Sequence, residues 1–200
     1  MTLVLTLSSN GMMMIPMLIF KRRTSLPTEL VTKFDGLALL TCNPKGWMNT
    51  DVMKLWIDKI LSNFHKDSEV KYFVVLDRFS AHTCAETESA LTSKGFESLI
   101  IPGGCTGILQ PLDVCFNKPL KDRLKERYLE WMKRKVLNPV SKVAPPQYEE
   151  LTHWLLQSLN DMSSELIAKS FVYCGEMHIN YKLMLVRCNA FSKQSKGERY

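Results

Sequence analysis

No two of the six cysteines, Cys42, Cys84, Cys105, Cys115, Cys174 and Cys188, form a Cys-x-x-Cys pair, and their intervals are wide and irregular. That spacing excludes a dense disulfide framework and an ordinary zinc module, and it fits reduced thiols in an intracellular protein. Cys174, His178 and Cys188 offer three ligands of a zinc site, but no fourth is evident. The apolar start, MTLVLTLSSNGMMMIPMLIF, has no basic region before it and is split by Ser8-Ser9-Asn10-Gly11, which argues against a signal peptide or membrane segment. Internal repeats are absent too. What remains is the makeup of an ordinary globular domain: 200 residues, 46% hydrophobic and 23% charged. The net charge of +6 and pI near 9.0 favour an anionic partner, nucleic acid or an anionic surface.

Thr2 to Leu7 and Met13 to Phe20 are β-capable runs, and the Asn-Gly turn between them supplies the positive φ of a tight hairpin. Leu37 to Cys42 reads as a third strand. Asn49 is placed to cap a helix in which Val52, Trp56, Ile60 and Phe64 repeat every four residues, a face that should pack on a sheet. Tyr72 to Leu76 is an unbroken apolar run, the pattern of a strand buried on both faces, and it ends at Asp77. Ala85 to Lys94 reads as a helix stopped by Gly95, and Leu99 to Ile101 as another buried strand stopped by Pro102-Gly103-Gly104. Strand, helix, strand is a parallel crossover unit. A loop through Pro111 leads to a long helix from Asn117 to Val136, with Phe116, Leu120, Leu124, Tyr128 and Trp131 as its buried stripe and Pro119 tolerated in its first turn. Two shorter helices follow, Tyr148 to Leu159 and Ser163 to Tyr173, and the tail from Lys193 to Tyr200 is polar. The fold class is α/β, a mixed sheet flanked by helices with extra C-terminal helices.

Two carboxylates stand where chemistry is expected. Asp77 ends a central strand, and Asp113 opens a helix 36 positions later, after one intervening helix and strand. Phosphoryl transfer on nucleic acid commonly uses two divalent cations about 4 Å apart, held by carboxylates drawn from distant elements, and Mg²⁺ or Mn²⁺ suits such oxygen ligands. An aspartate at a strand end is equally an ordinary turn or cap residue.

The words around these aspartates carry more. Val75-Leu76-Asp77 with His82, then Ile100-Ile101-Pro102-Gly103-Gly104-Cys105-Thr106, then Leu109-Gln110-Pro111-Leu112-Asp113-Val114 and Asn117-Lys118-Pro119, together resemble the DDE-superfamily endonuclease domain of pogo-like transposases. Asn43-Pro44-Lys45-Gly46-Trp47-Met48 matches the same pattern. The resemblance implies a ribonuclease H-like fold over residues 1–175, with a divergent, partly disordered tail over 176–200. It implies three metal-binding acidic residues, the second at Asp77 and the third at Asp113. The first belongs to a strand upstream of the segment that Thr2 to Asn10 resembles, so this chain lacks it, and a DDE- or DDD-type endonuclease activity is expected to be incomplete here. Mg²⁺ or Mn²⁺ is then the cofactor of any remaining activity. Asp35 and Asp51 are the nearest acidic candidates for the vacant role, but Asp51 is better read as a first-turn helix residue. Arg78 stands where the family often has Asn, placing a cation next to Asp77.

Secondary candidates each have an ordinary reading. His82 can orient a water or a phosphate, or simply start a helix; Gln110 accompanies Asp113 in its motif. Gly103 and Gly104 permit close approach of backbone to a phosphate, or form a plain turn. The long helix carries Lys118, Lys121, Arg123, Lys125, Arg127, Lys133, Arg134 and Lys135 against Asp122, Glu126 and Glu130, a net +5. It is a phosphate-tracking surface beside Asp113 or a solvated helix with internal acid-base pairs. Met12 to Met14 and Trp47, Trp56, Trp131 and Trp154 read as core or hairpin packing. The expectation is a nuclear, DNA-binding, transposase-derived domain that is not in a membrane. The alternatives are an Mg²⁺-dependent endonuclease completed by a longer form or a partner chain, and a protein-interaction or homodimerisation platform.

Overall fold

The computed structural model of the chain describes residues 1–64, 70–136 and 144–175, and the backbone of 181–190. The two N-terminal strands, β1 (Thr2–Ser8) and β2 (Met17–Lys21), pair antiparallel with Thr2 opposite Ile19 and Val4 opposite Met17. The turn between them closes through a Gly11 N–H to Ser8 carbonyl bond of 2.9 Å, and Gly11 has φ +87°. A β-carbon there would lie 2.7 Å from the Ser164 carbonyl oxygen, so both conformation and space require glycine. Helix α1 (Thr28–Lys33) buries none of its residues and left no amphipathic pattern by which to foresee it. Strand β3 (Leu39–Asn43) runs parallel to β2.

Helix α2 (Thr50–Lys59) begins as its sequence dictates: the Asn49 side chain accepts the Val52 N–H at 2.9 Å, and Asp51 lies in the first turn. Strand β4 (Lys71–Leu76), helix α3 (Ala85–Ser93) and strand β5 (Glu97–Ile100) form the crossover unit, with β4 and β5 parallel. Gly95, at φ +73°, ends α3. A short helix α4 (Thr106–Leu109) and a π-helical turn over Leu112–Phe116 replace the expected loop and run into α5 (Asn117–Val136). Pro119 supplies a reason for the wide turn: it has no N–H to give the Cys115 carbonyl, and its ring crowds that carbonyl. Helices α6 (Tyr148–Asn160) and α7 (Ser164–Tyr173) follow, α7 capped by Ser163, whose hydroxyl accepts the Leu166 N–H at 3.1 Å.

The last strand is the unforeseen one. Ten residues of the segment expected to lie beyond the domain, β6 (Tyr181–Ala190), enter the middle of the sheet, whose order is β3-β2-β1-β6-β4-β5. β6 pairs antiparallel with β1, from Thr2 opposite Ala190 to Ser8 opposite Met184, and parallel with β4, from Lys71 opposite Tyr181 to Leu76 opposite Val186. Residues 176–180 and 191–200 of that segment, His178 among them, lie outside the described residues.

A mixed sheet with helices on both faces is the ribonuclease H-like arrangement. On one face Leu3, Leu5, Leu7, Phe20 and Val75 pack with Leu112, Phe116, Leu120, Leu155 and Phe171. On the other, Val4, Ile19, Val74 and Leu76 meet Val52, Met53, Trp56 and Leu91. Each such side chain contributes about 1.5–3 kcal/mol when fully buried. The Trp56 indole donates to the Thr6 hydroxyl at 2.9 Å, satisfying two buried polar groups.

Three expectations need correction. β5 is the sheet's last strand in this order and is half open, with Leu99 45% exposed, so it is not buried on both faces. Tyr128 is 43% exposed and leaves the buried stripe of α5, where Phe116, Leu120 and Trp131 remain. Trp47 is 58% exposed and is not core; nor is Met12.

Candidate carboxylate pair and basic surface

Strand β4 delivers Asp77. The strand ends with Val75 toward Leu112 and Phe116 and Leu76 toward the opposite face, and Asp77 is the next residue. A tight turn follows, with the Phe79 N–H on the Asp77 carbonyl at 2.8 Å and the His82 N–H on the Phe79 carbonyl at 2.9 Å. It brings the His82 ring back, with Nδ1 at 2.7 Å from Asp77 Oδ1 and 3.2 Å from the Asp77 carbonyl. His82 is buried, and its Nε2 has no hydrogen-bond partner among the described residues. The imidazole therefore fixes one oxygen of the carboxylate and orients the other. Arg78 is exposed.

Asp113 sits in the first turn of the π-helical segment, its N–H on the Gln110 carbonyl at 2.9 Å. Its Oδ1 accepts from Asn117 Nδ2 at 2.8 Å, so the residue that opens α5 also orients the second carboxylate. The Gln110 side chain is fully buried, and neither its oxygen nor its nitrogen has a hydrogen-bond partner among the described residues. Among the described residues, no three His, Cys, Asp or Glu side chains are grouped so as to hold a metal ion. Beyond the Leu76–Val186 pair, β4 gives way to Asp77 while β6 continues with Arg187, and β6 contains no Asp or Glu.

Gly103 and Gly104 occupy a turn closed by the Cys105 N–H on the Pro102 carbonyl at 3.1 Å, with Gly104 at φ +82°. A side chain at either would meet open space, so positive φ requires glycine at 104 and nothing inside the molecule requires it at 103. After Asp77, Cys84 precedes α3, and its thiol is pulled below the usual thiol range chiefly by its hydrogen bond with Thr87.

Helix α5 sorts its charges by face. Lys118, Lys121 and Lys125 follow at spacings of three and four, share one exposed stripe, and make no ion pair among the described residues. Asp122, Glu126 and Glu130 form the neighbouring stripe. Beyond it, Arg123 and Arg127 turn to α6. Arg123 reaches the Pro119 and Asp161 carbonyls at 3.5 and 3.4 Å. Arg127 holds Ser158 Oγ at 3.0 Å, Gln157 Oε1 at 3.2 Å and Asp161 Oδ2 at 2.6 Å. The lysines of the sequence-predicted set face solvent, whereas Arg123 is engaged inside the molecule. No described helix is long and apolar enough to cross a membrane.

A family model described as DDE superfamily endonuclease matches residues 1–171. Among curated proteins, the chain is 28% identical over 172 residues to the human "Pogo transposable element with KRAB domain" and 29% over 174 residues to its mouse counterpart, in each case 84% of this chain and 27% of the relative. It is 23% identical over 127 residues to the human "Pogo transposable element with ZNF domain", 64% of this chain and 9% of that protein. The chain thus spans about a quarter of the length of the first two relatives. No solved structure matches. With the family match running from β1 into α7 and including both aspartates, the chain belongs to the DDE superfamily endonucleases, with distant homology to Pogo transposable element proteins.

Proposed function

We propose that this domain, derived from a pogo-like transposase, binds DNA in the nucleus and does so without a complete catalytic centre. The observation that carries the binding reading is the stripe of Lys118, Lys121 and Lys125, free of ion pairs among the described residues and starting one turn beyond Asp113. Unpaired lysines at one-turn intervals release counterions when they meet phosphates, which drives sequence-independent binding.

The family typically uses divalent metal ions. Asp77 and Asp113 are oxygen donors of the right kind, but they are two, each already hydrogen-bonded, and β6 brings no third carboxylate into the sheet position beside β4. Among the described residues, two carboxylates fall short of the donors that a two-metal centre needs. For a strand of a longer form or of a partner chain to present a carboxylate beside Asp77, β6 must leave that place. Incubating the purified chain with supercoiled plasmid and Mg²⁺ tests this: no nicking is expected, and nicking that disappears in Asp77→Asn would refute it.

A further inference from the structure

A second surface, on the opposite side of β4 from the lysine helix, has features that the fold does not require. The loop after β3 is pinned by five side-chain hydrogen bonds. Asn43 Oδ1 accepts the N–H groups of Lys45, Gly46 and Trp47 at 3.1, 2.6 and 3.3 Å, and its Nδ2 donates to the Trp47 carbonyl at 2.7 Å. Thr2 Oγ1 donates to the Gly46 carbonyl at 2.6 Å. Gly46, at φ +68°, packs so closely on β2 that a β-carbon would stand 2.8 Å from that of Lys21. This rigid loop holds the Trp47 ring out in solvent. Across a groove of about 600 Å³ stands Phe79, 37% exposed, two residues after Asp77 and edge-on to the His82 ring. Lys45 lines the same groove, and a second cleft, which has Asn43 and Pro44 in common with it as lining residues, is lined by Arg22 and Arg23. Among the described residues, no Asp or Glu lines either cleft, in contrast to the groove along α5, which Asp122, Glu126, Glu130 and Asp161 share with the cations.

We infer that the Trp47–Phe79 groove binds single-stranded DNA, stacking an unpaired base between its aromatic walls while Lys45, Arg22 and Arg23 follow the phosphates. Two exposed aromatics offer π-faces that any base can use, and a carboxylate-free cationic rim suits a polyanion; this is the makeup of single-strand binding sites. The volume falls in the range of about 300–1,000 Å³ in which small ligands are held. A fully paired duplex has no base face to insert, so the groove discriminates single strands from duplex. The inference rests on the nucleic-acid reading above but uses a different surface.

The test measures binding of the full chain to a fluorescein-labelled oligothymidylate and, in parallel, to a hairpin whose paired stem is closed by a linker without bases. Trp47→Ala and Phe79→Ala are each expected to weaken the single-strand complex roughly tenfold and to leave hairpin affinity within about twofold. Trp47→Phe, which keeps a stacking face, should restore most of the loss. Single-strand affinity unchanged in Trp47→Ala, with hairpin binding intact, overturns the groove and spares DNA binding by the lysine stripe; binding of neither probe overturns both. If Trp47→Ala instead changes the sedimentation mass and not the single-strand affinity, the aromatics serve self-association and the proposal falls.

Discussion

His82 and Asp77 show how one side chain can keep a site in order without acting in it. The ring is buried at 2.7 Å from the carboxylate, so its removal leaves a partly buried carboxylate short of one hydrogen bond and opens a cavity. His82→Ala is expected to lower unfolding free energy by about 1–3 kcal/mol in urea titration, whereas Asp77→Asn, whose amide can still pair with the imidazole, should cost under about 1 kcal/mol. Equal losses would show that the imidazole needs the carboxylate itself and that an amide cannot take its place. The sequence placed Asp77 correctly, because an apolar strand that stops at a carboxylate is a local pattern. It could not place Trp47, since exposure there follows from contacts with Thr2 and Lys21 made by chain more than twenty residues away.

At the scale of elements, α5 divides its work. Its boundaries and its excess of charge were legible in spacing and composition, but the division between lysines that face water and arginines that face α6 depends on where Asp161 arrives in space. Arg127→Ala removes three contacts between α5 and α6 and should lower Tm by several degrees, a loss of about 1–2 kcal/mol, while leaving DNA affinity unchanged. A fall in affinity without a fall in Tm would reverse those roles. The strand β6 was the least legible element: its run of ten residues is β-capable, yet its place is decided by an opening between β1 and β4 that only long-range pairing creates. All seven residues of β1 are buried, which a strand with an open edge would not achieve. Leu185 is paired on both sides, with Leu7 and Val75, so Leu185→Pro should cost 3 kcal/mol or more, roughly, and expose strand edges. Thioflavin or light-scattering assays at constant temperature check this; a variant as stable and monodisperse as the parent would place β6 outside the sheet.

As a whole, the molecule keeps the family's frame, with Asp77 and Asp113 inside the matched residues, while the sheet position beside β4 is taken by a strand free of carboxylates. Its basic charge is concentrated on α5 and on the clefts at Arg22, Arg23 and Lys45, which is a distribution for holding a polyanion. DNA binding by the lysine stripe, as proposed, is tested most directly by fluorescence anisotropy of a labelled duplex titrated with the full chain across a series of salt concentrations. The log of the association constant should fall linearly with log salt, and the triple variant Lys118→Glu, Lys121→Glu, Lys125→Glu should bind more than tenfold more weakly, with the slope flattened by about 2–3 units. No binding at low salt, or an identical slope in the triple variant, would contradict the account and leave the domain as a platform for protein partners.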